Sequence, residues 1–327
     1  MPEVARPPIE IGLAAAIVAV PEREPLILVV ASGNPGEPAG LPFGPFDPIH
    51  HRTLDMGLRA WVEEQTPLKL GYVEQLYTFG DRGRHAHPGD LGPHLVSVGY
   101  LALTRIGKES EALARTGASW RRWYDFFPWE DWRGGRPALL DEAVLPALHR
   151  WAEDDDADET ARHALSRRER VGLAFGSDEA PWDEERVLDR YELLYSAGLV
   201  PEATRDGRPA PIGTLPRLAA GAPMRFDHRR ILATAISRLR AKLKYRPVVF
   251  ELMAPAFSLT ELQETVEAIS GHHVHKQNFR RLVEAAALVE PTGAESRTKR
   301  GRPAALFRFR REVLKERPAP GLRVGSR

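Results

Sequence analysis

The sequence predicts an α+β protein in which a mixed sandwich of strands and helix precedes a smaller, basic, mainly helical domain. Short β-branched runs and one amphipathic helix alternate near the N-terminus. Residues 226–327 then hold 21 Lys and Arg against 10 Asp and Glu, although the whole chain has a net charge of only +1. Because 327 residues exceed the usual size of one hydrophobic core, we expect two or three domains.

The N-terminal segment predicts two strands joined by a turn. The apolar runs "IGLAAAIVAV" and "LILVVAS" are separated by "PEREP". We expect no signal peptide, because a proline pair and no basic segment precedes the first run. No run is long enough to cross a membrane, so we expect no membrane partner. The absence of cysteine excludes disulfides and thiolate metal ligands and is typical of a cytoplasmic protein.

A helix and two more strands complete the predicted sandwich. Leu54, Leu58, Trp61 and Val62 recur at the spacing of one helix face. The strands "YVEQLYTFG" and "LVSVGYLALT" follow, joined by the charged loop "DRGRHAHPGDLGPH". The centre of the chain is less regular. There the aromatic stretch "SWRRWYDFFPWEDW" indicates core packing, and two amphipathic helices follow it, the first running into an acidic patch.

The basic C-terminal part predicts a helix-turn-helix. A long helix, "FDHRRILATAISRLRAKLKY", comes first. Ser258 and Glu261 then form a capping box that begins a second helix, and Gly271 ends it. After the turn, Phe279 and Val283 mark the buried face of a third helix. The polar turn "HHVH" resembles a metal site only in composition, and we expect no metal there.

The face of the third helix that points away from the core carries polar and basic residues. A recognition helix enters the major groove with its N-terminal residues near the base edges. Gln277 and Arg281 are therefore predicted to contact bases, and Lys276, Asn278 and Arg280 to contact phosphates.

A basic hairpin is predicted to follow this helix. The segment "EPTGAESRTKRGRPAALFRFRRE" places an alternating strand after a Gly/Pro-rich loop. Four cations in that loop, Arg297, Lys299, Arg300 and Arg302, suit a wing beside the DNA backbone. The alternative is a solvated hairpin on an ordinary helical domain.

Residues 226–309, with "KLKYRPVVFELM", "FSLTELQ", "KQNFRR" and "GRPAALFRF", resemble the winged-helix domain of the Nudix-related transcriptional regulators of NAD metabolism, the NrtR family. "YVEQLYTFGDRGR" and "VSVGYLAL" resemble the Nudix-like domain of the same family. The resemblance implies a Nudix-like α/β/α sandwich with an enlarged central region, followed by a winged helix-turn-helix. The expected parts are a ligand-sensing domain (1–133), a helical insertion or linker (134–225), a DNA-binding domain (226–315) and a basic flexible tail (316–327).

The Nudix signature, G-x5-E-x7-R-E-U-x-E-E-x-G-U, gathers carboxylates around magnesium, and this chain departs from it. Ala60 and His50 stand where glutamates would be, and Thr66 replaces the late glycine. A hard cation needs several oxygen ligands. We therefore expect no catalytic residues, no required cofactor and no metal site; the alternative is a retained Mg²⁺ site.

The remaining polar residues of this region are candidate ligand contacts. The resemblance implies an effector, typically ADP-ribose or a related NAD-derived nucleotide. The predicted contacts are Arg59, Glu63, Glu64, Asp81, Arg82 and Arg84. The alternatives are a charged outer helix face for the first three and a solvated loop for the last three.

Three functions compete. The first is a nucleotide-controlled DNA-binding regulator, predicted to be a repressor of genes for NAD biosynthesis or utilisation that binds a palindromic operator as a homodimer. The second is an active Nudix pyrophosphatase of the ADP-ribose type with a basic accessory domain. The third is a non-enzymatic scaffold whose winged helix contacts protein. Ala60 and His50 argue against the second, and the basic wing argues against the third.

Overall fold

The computed structural model describes residues 8–81, 84, 92–107, 110–154, 164–176, 180–208, 215–296, 303–316 and 321–322. Its strands are β1 Ile9–Ala19, β2 Leu26–Val30, β3 Phe43–Pro45, β4 Tyr72–Phe79, β5 His94–Leu103, β6 Ala118–Arg122, β7 Val289–Ser296 and β8 Ala304–Phe309. Its helices are α1 Leu54–Gln65, α2 Ser110–Arg115, α3 Leu145–Glu153, α4 Arg167–Phe175, α5 Val187–Ser196, α6 Pro201–Arg205, α7 Arg217–Ala220, α8 His228–Leu243, α9 Leu259–Ser270, α10 Lys276–Ala286 and α11 Val313–Glu316.

A mixed sheet forms the centre of the N-terminal part, with strand order β4-β5-β1-β2-β6. β1 runs parallel to β5 along ten residues and antiparallel to its other partners. Its end pairs with β2, whereas its first half pairs with the short β3. The four strands predicted from the apolar runs are confirmed, and β3 and β6 are additional.

Helices cover both faces of this sheet. Leu13, Ala15 and Ile17 of β1 pack in a core with Leu58 and Val62 of α1. The alternate residues Ala14, Ala16 and Val18 belong to the opposite core, which includes α8. Since neighbouring side chains of a strand point to opposite faces, β1 is buried on both, which explains its continuous apolar run. The predicted α/β/α sandwich is confirmed.

Helix α8 is the second helical layer of the sandwich. Its residues Ile231, Leu232 and Leu239 are fully buried, and the helix contacts β1, β4, β5, α5 and α9. The sequence prediction grouped this helix with the DNA-binding domain. Its contacts with the sheet were not part of that prediction, because an apolar stripe shows that a helix is buried but not which neighbour covers it.

The C-terminal elements form a helix-turn-helix with a hairpin. Ser258 and Glu261 make the predicted capping box at the start of α9, and Gly271 ends α9 with φ +78° in the left-handed region. β7 and β8 pair antiparallel after α10, and β8 is tied to the start of the domain by bridging between Phe257 and Phe307. No helix within the described ranges is long and apolar enough to span a membrane.

The structure describes residues 316, 321 and 322 of the predicted tail. Glu316 belongs to α11, and Leu322 is buried with its amide donating to the carbonyl of Leu243 at 2.7 Å. Because the segment is basic, its composition did not indicate that the apolar residue Leu322 would pack on the end of α8.

Candidate functional site

Helix α10 presents a polar face on an apolar base. Phe279 and Val283 are buried, whereas Lys276, Gln277, Asn278, Arg280 and Arg281 are all exposed. The five predicted DNA contacts therefore share one accessible surface, which we call the α10 surface. The orientation agrees with the helical-wheel argument, and the DNA contacts themselves stay predictions.

Glu267 fixes the turn that positions α10. Its Oε1 accepts from Gln263 Nε2 and from the Val274 amide, both at 2.9 Å, and its Oε2 lies 3.1 Å from His273 Nδ1. Burial raises the pKa of Glu267, but these hydrogen bonds outweigh burial and the net pKa is lowered. The charged carboxylate therefore holds the turn. His273 of "HHVH" thus has a structural partner, and no group of three His, Cys, Asp or Glu side chains suited to a metal occurs in the described part of the chain.

The hairpin beside α10 is partly described. Arg308 on β8 pairs with Glu290 on β7 at 2.7 Å, and a bulge lies between Pro291 and Glu295. The predicted wing cations Arg297, Lys299, Arg300 and Arg302 lie outside the described residues.

A buried ionic cluster supports the C-terminal end of α9. Glu130 is enclosed between two arginines, with its carboxylate 2.5 Å from Arg190 Nε and 2.6 Å from Arg240 Nη1. Burial raises the pKa of Glu130, but the two guanidinium groups outweigh it and the net pKa is lowered. Arg240 also donates to the Ile269 carbonyl at 2.9 Å, and Tyr124 donates to the Ala268 carbonyl at 2.8 Å. These donors satisfy the carbonyls that a helix leaves unpaired at its end.

Close packing at Gly271 completes this support. A side chain there would place Cβ 2.5 Å from the Glu130 carbonyl oxygen. The Gly271 carbonyl accepts from the Trp132 amide at 2.8 Å. The sandwich, the central helices and the helix-turn-helix therefore meet at one packed junction.

Helix α1, which carries the stretch compared with the Nudix signature, packs tightly against the sheet. The Trp61 indole lies against Gly44, where a Cβ would come within 2.1 Å of the ring, and its Nε1 donates to the Pro45 carbonyl at 2.7 Å. Thr66, at the position of the late glycine, has an extended backbone with φ −148°. Any residue adopts that conformation, so a glycine is not required there.

The predicted ligand contacts on α1 have different surroundings. Glu63 and Glu64 are exposed. Ala60 has no side-chain oxygen that could join these two carboxylates in binding a cation. Arg59 pairs with Asp55 at 2.9 Å and donates to the Leu70 carbonyl at 2.6 Å, so its guanidinium also ties α1 to the segment before β4.

The three ligand contacts predicted in the loop after β4 also have different surroundings. Arg82 lies outside the described residues, and Asp81 is exposed and pairs with Arg230. Arg84 is buried, donates to Glu192 at 2.7 and 3.1 Å and lies 3.7 Å above the Tyr195 ring. The guanidinium thus has protein partners inside the fold and is not a solvated loop residue, and the ligand contact of Arg84 stays a prediction.

Asp227 is a buried acid next to Arg84. Its carboxylate lies 3.7 Å from Arg84 and 3.3 Å from Arg230. Burial raises the pKa of Asp227 to about 7 despite the opposing effect of the two arginines. This group therefore titrates near neutral pH.

Residues 249–309 match the family model described as "NrtR DNA-binding winged helix domain". The matched segment begins just after α8 and includes α9, α10 and the hairpin. These residues are thus similar to an NrtR-type winged helix. Their helix-turn-helix and wing confirm the fold predicted from the capping box and the alternating strand.

Comparison with known proteins extends the likeness. The chain is 43% identical over 84 residues to the "ADPR responsive transcriptional repressor NtrR" of Acinetobacter baylyi, a match that covers 26% of this chain and 33% of that relative. Shewanella oneidensis NrtR in complex with a 27mer DNA superposes with a TM-score of 0.54 at 20% identity, covering 93% of this chain and 95% of that one. A second crystal structure of Shewanella oneidensis NrtR gives a TM-score of 0.52 at 21% identity, with the same coverage. Over 93% of its length the chain thus shares the fold of that Shewanella protein.

The residues outside the winged helix that support it were not identified from the sequence. Glu130, Arg190 and Arg240 are far apart in the chain and carry no shared motif. The dense aromatic stretch that contains Glu130 was the available signal, since a charge within an apolar segment requires a buried partner.

Proposed function

We propose that this protein is a DNA-binding transcriptional repressor controlled by ADP-ribose or a related NAD-derived nucleotide. The exposed polar face of α10, held on the buried base of Phe279 and Val283, is the observation that carries the proposal. The Acinetobacter relative, named as an ADPR responsive repressor, supports the same function. The regulated genes are proposed to serve NAD biosynthesis or utilisation, in the cytoplasm.

The DNA site is proposed to be an inverted repeat bound by a homodimer. One recognition helix reads too few base pairs to define a genomic site, and two-fold pairing doubles the contacts. Selection of bound fragments from genomic DNA would supply the operator. Footprinting should then show two symmetric half-sites, whereas one asymmetric half-site bound by a monomer would contradict the dimer.

The domain limits are proposed to follow the structure and the matched segment. The sandwich includes α1 and α8, the central helices brace it, and the DNA-binding domain begins after α8. This revises the predicted limit at residue 226.

The Nudix-like domain is proposed to bind nucleotide without meaningful hydrolysis. Ala60 leaves the exposed Glu63 and Glu64 with no third carboxylate from that turn of α1, and Mg²⁺ requires several oxygen ligands. Because Glu63 and Glu64 are both present, an active pyrophosphatase is the second candidate function. Incubation with ADP-ribose and Mg²⁺ should yield no AMP above a protein-free control. Turnover of many ADP-ribose molecules per protein would favour the enzyme.

For the nucleotide to regulate, its binding must oppose DNA binding. A coupling free energy of about 1–3 kcal/mol would lower operator affinity by roughly 5- to 150-fold, and operator must weaken nucleotide binding by the same factor. Calorimetric titration of ADP-ribose with and without operator tests both directions. Equal affinities in the two titrations would mean that the Nudix-like domain does not control the winged helix.

A further inference from the structure

A cavity of about 880 Å³ lies where the sandwich meets the winged helix. Tyr72 and Arg105 contribute the wall from the sandwich, at the start of β4 and just after β5. The end of α8, the loop that leads into α9 and the end of β8 contribute the others. This volume is within the range that suits a bound small molecule.

The cavity carries an excess of positive charge. Its cationic side chains are Arg105, Lys242, Arg246, Arg308 and Arg311, and its wall has one carboxylate, Glu251. Two cations have acidic partners beside the cavity, because Lys242 pairs with Glu74 and Arg308 with Glu290, each at 2.7 Å. Arg105 and Arg311 add two further cations to the wall against the single carboxylate Glu251, and this local excess of positive charge favours an anion.

Aromatic and aliphatic side chains line the same space. The rings of Phe250 and Phe309 stack with centroids 4.4 Å apart, and both line the cavity. Leu314 is about half exposed beside them, at 53% of its full accessible surface. A flat apolar group placed against these side chains would be removed from water while a charged group met the arginines.

We propose that this cavity binds a phosphorylated small molecule with a flat apolar group, of the nucleoside diphosphate class. Its phosphates meet Arg105 and Arg311, and its apolar part lies against the Phe250 and Phe309 side chains and Leu314. The site is separate from α1, because α1 covers the opposite face of the sheet from α8. A ligand here contacts both the sandwich and the winged helix, so it stabilises one arrangement of the two.

The test uses the full-length protein and ADP as probe. Isothermal titration should detect ADP and pyrophosphate binding, with adenosine at least tenfold weaker than ADP. The double variant Arg105→Gln/Arg311→Gln should lose at least tenfold in ADP affinity. Arg121→Gln is the matched control, because Arg121 is an exposed arginine on β6, at the other edge of the sheet from β4. It should leave ADP affinity unchanged.

Several outcomes would overturn the proposal. Equal ADP affinity in the wild type, the double variant and the control would place ADP elsewhere, including on α1. No binding of ADP or pyrophosphate at millimolar concentration would exclude the site. Weaker DNA binding by the double variant without ligand, with a flatter salt dependence, would assign these arginines to DNA phosphates instead. Because both arginines are exposed, the melting temperature should be unchanged, and Arg105→Lys/Arg311→Lys should retain most of the affinity.

Discussion

Replacing Glu130 by Gln should destabilise the protein much more than replacing a surface carboxylate. Glu130 and its partners Arg190 and Arg240 are all fully buried, and three contacts of 2.5 to 3.0 Å join them. Glutamine keeps the shape but removes the charge, leaving two buried guanidinium groups without their carboxylate. Breaking a buried ion pair in this way costs about 3–5 kcal/mol.

Asp141→Asn is the matched control. Asp141 forms an equally short two-point contact with Arg136, at 2.8 Å, but the two side chains are 58% and 40% exposed. Solvent screens such a pair, so its loss should cost at most about 1 kcal/mol. Urea unfolding followed by circular dichroism gives both free energies of unfolding.

Hydrogen exchange locates the effect of Glu130→Gln. Arg240 and Tyr124 hold the last carbonyls of α9, so amides of residues 259–286 should exchange faster in this variant and not in Asp141→Asn. If Glu130→Gln lost less than about 1 kcal/mol, or if exchange in residues 259–286 did not change, the cluster would not support the helix-turn-helix.

Three further predictions concern single residues. Gly271→Ala should lower the melting temperature and operator affinity more than Gly293→Ala, because both have φ near +80° but only Gly271 is closely packed, and equal losses would refute the packing argument. Folding favours the protonated form of Asp227, whose pKa is raised from 3.8 to about 7, so this group stabilises the fold below about pH 4 and that stability is lost as pH rises through about 7. Between pH 5 and pH 8 the free energy of unfolding of the wild type should fall by roughly 2 kcal/mol more than that of Asp227→Asn. Parallel curves of unfolding free energy against pH for the two proteins would contradict this. Arg281→Ala should lower operator affinity by about 1–3 kcal/mol and relax one base position, whereas Lys299→Ala should weaken all sequences alike; equal loss on operator and random DNA would move Arg281 to the phosphate class.

The sequence predicted the elements whose signals are local. The capping box of Ser258 and Glu261, the stop at Gly271 and the outward face of α10 depend on neighbours within one or two turns, and all are present. β3 and β6 were not predicted, because β3 is a three-residue segment in a Gly/Pro-rich loop and β6 ends in two arginines.

Contacts between distant segments could not be predicted in the same way. Arg84 looked like a solvated loop residue, and only the folded chain brings Glu192 and Tyr195 to it. Leu322 likewise lies in a basic segment, and its apolar contact with α8 becomes evident only in three dimensions.

The position of α8 in the chain has a consequence for synthesis on the ribosome. The sheet is complete at Arg122, but the helix that covers one of its faces ends only at Leu243. During translation, Ala14, Ala16 and Leu101 therefore lack that cover until more than a hundred further residues have been made. The nascent sandwich should need a chaperone during this interval, and a chain cut before α8 should aggregate rather than fold as an isolated sandwich domain.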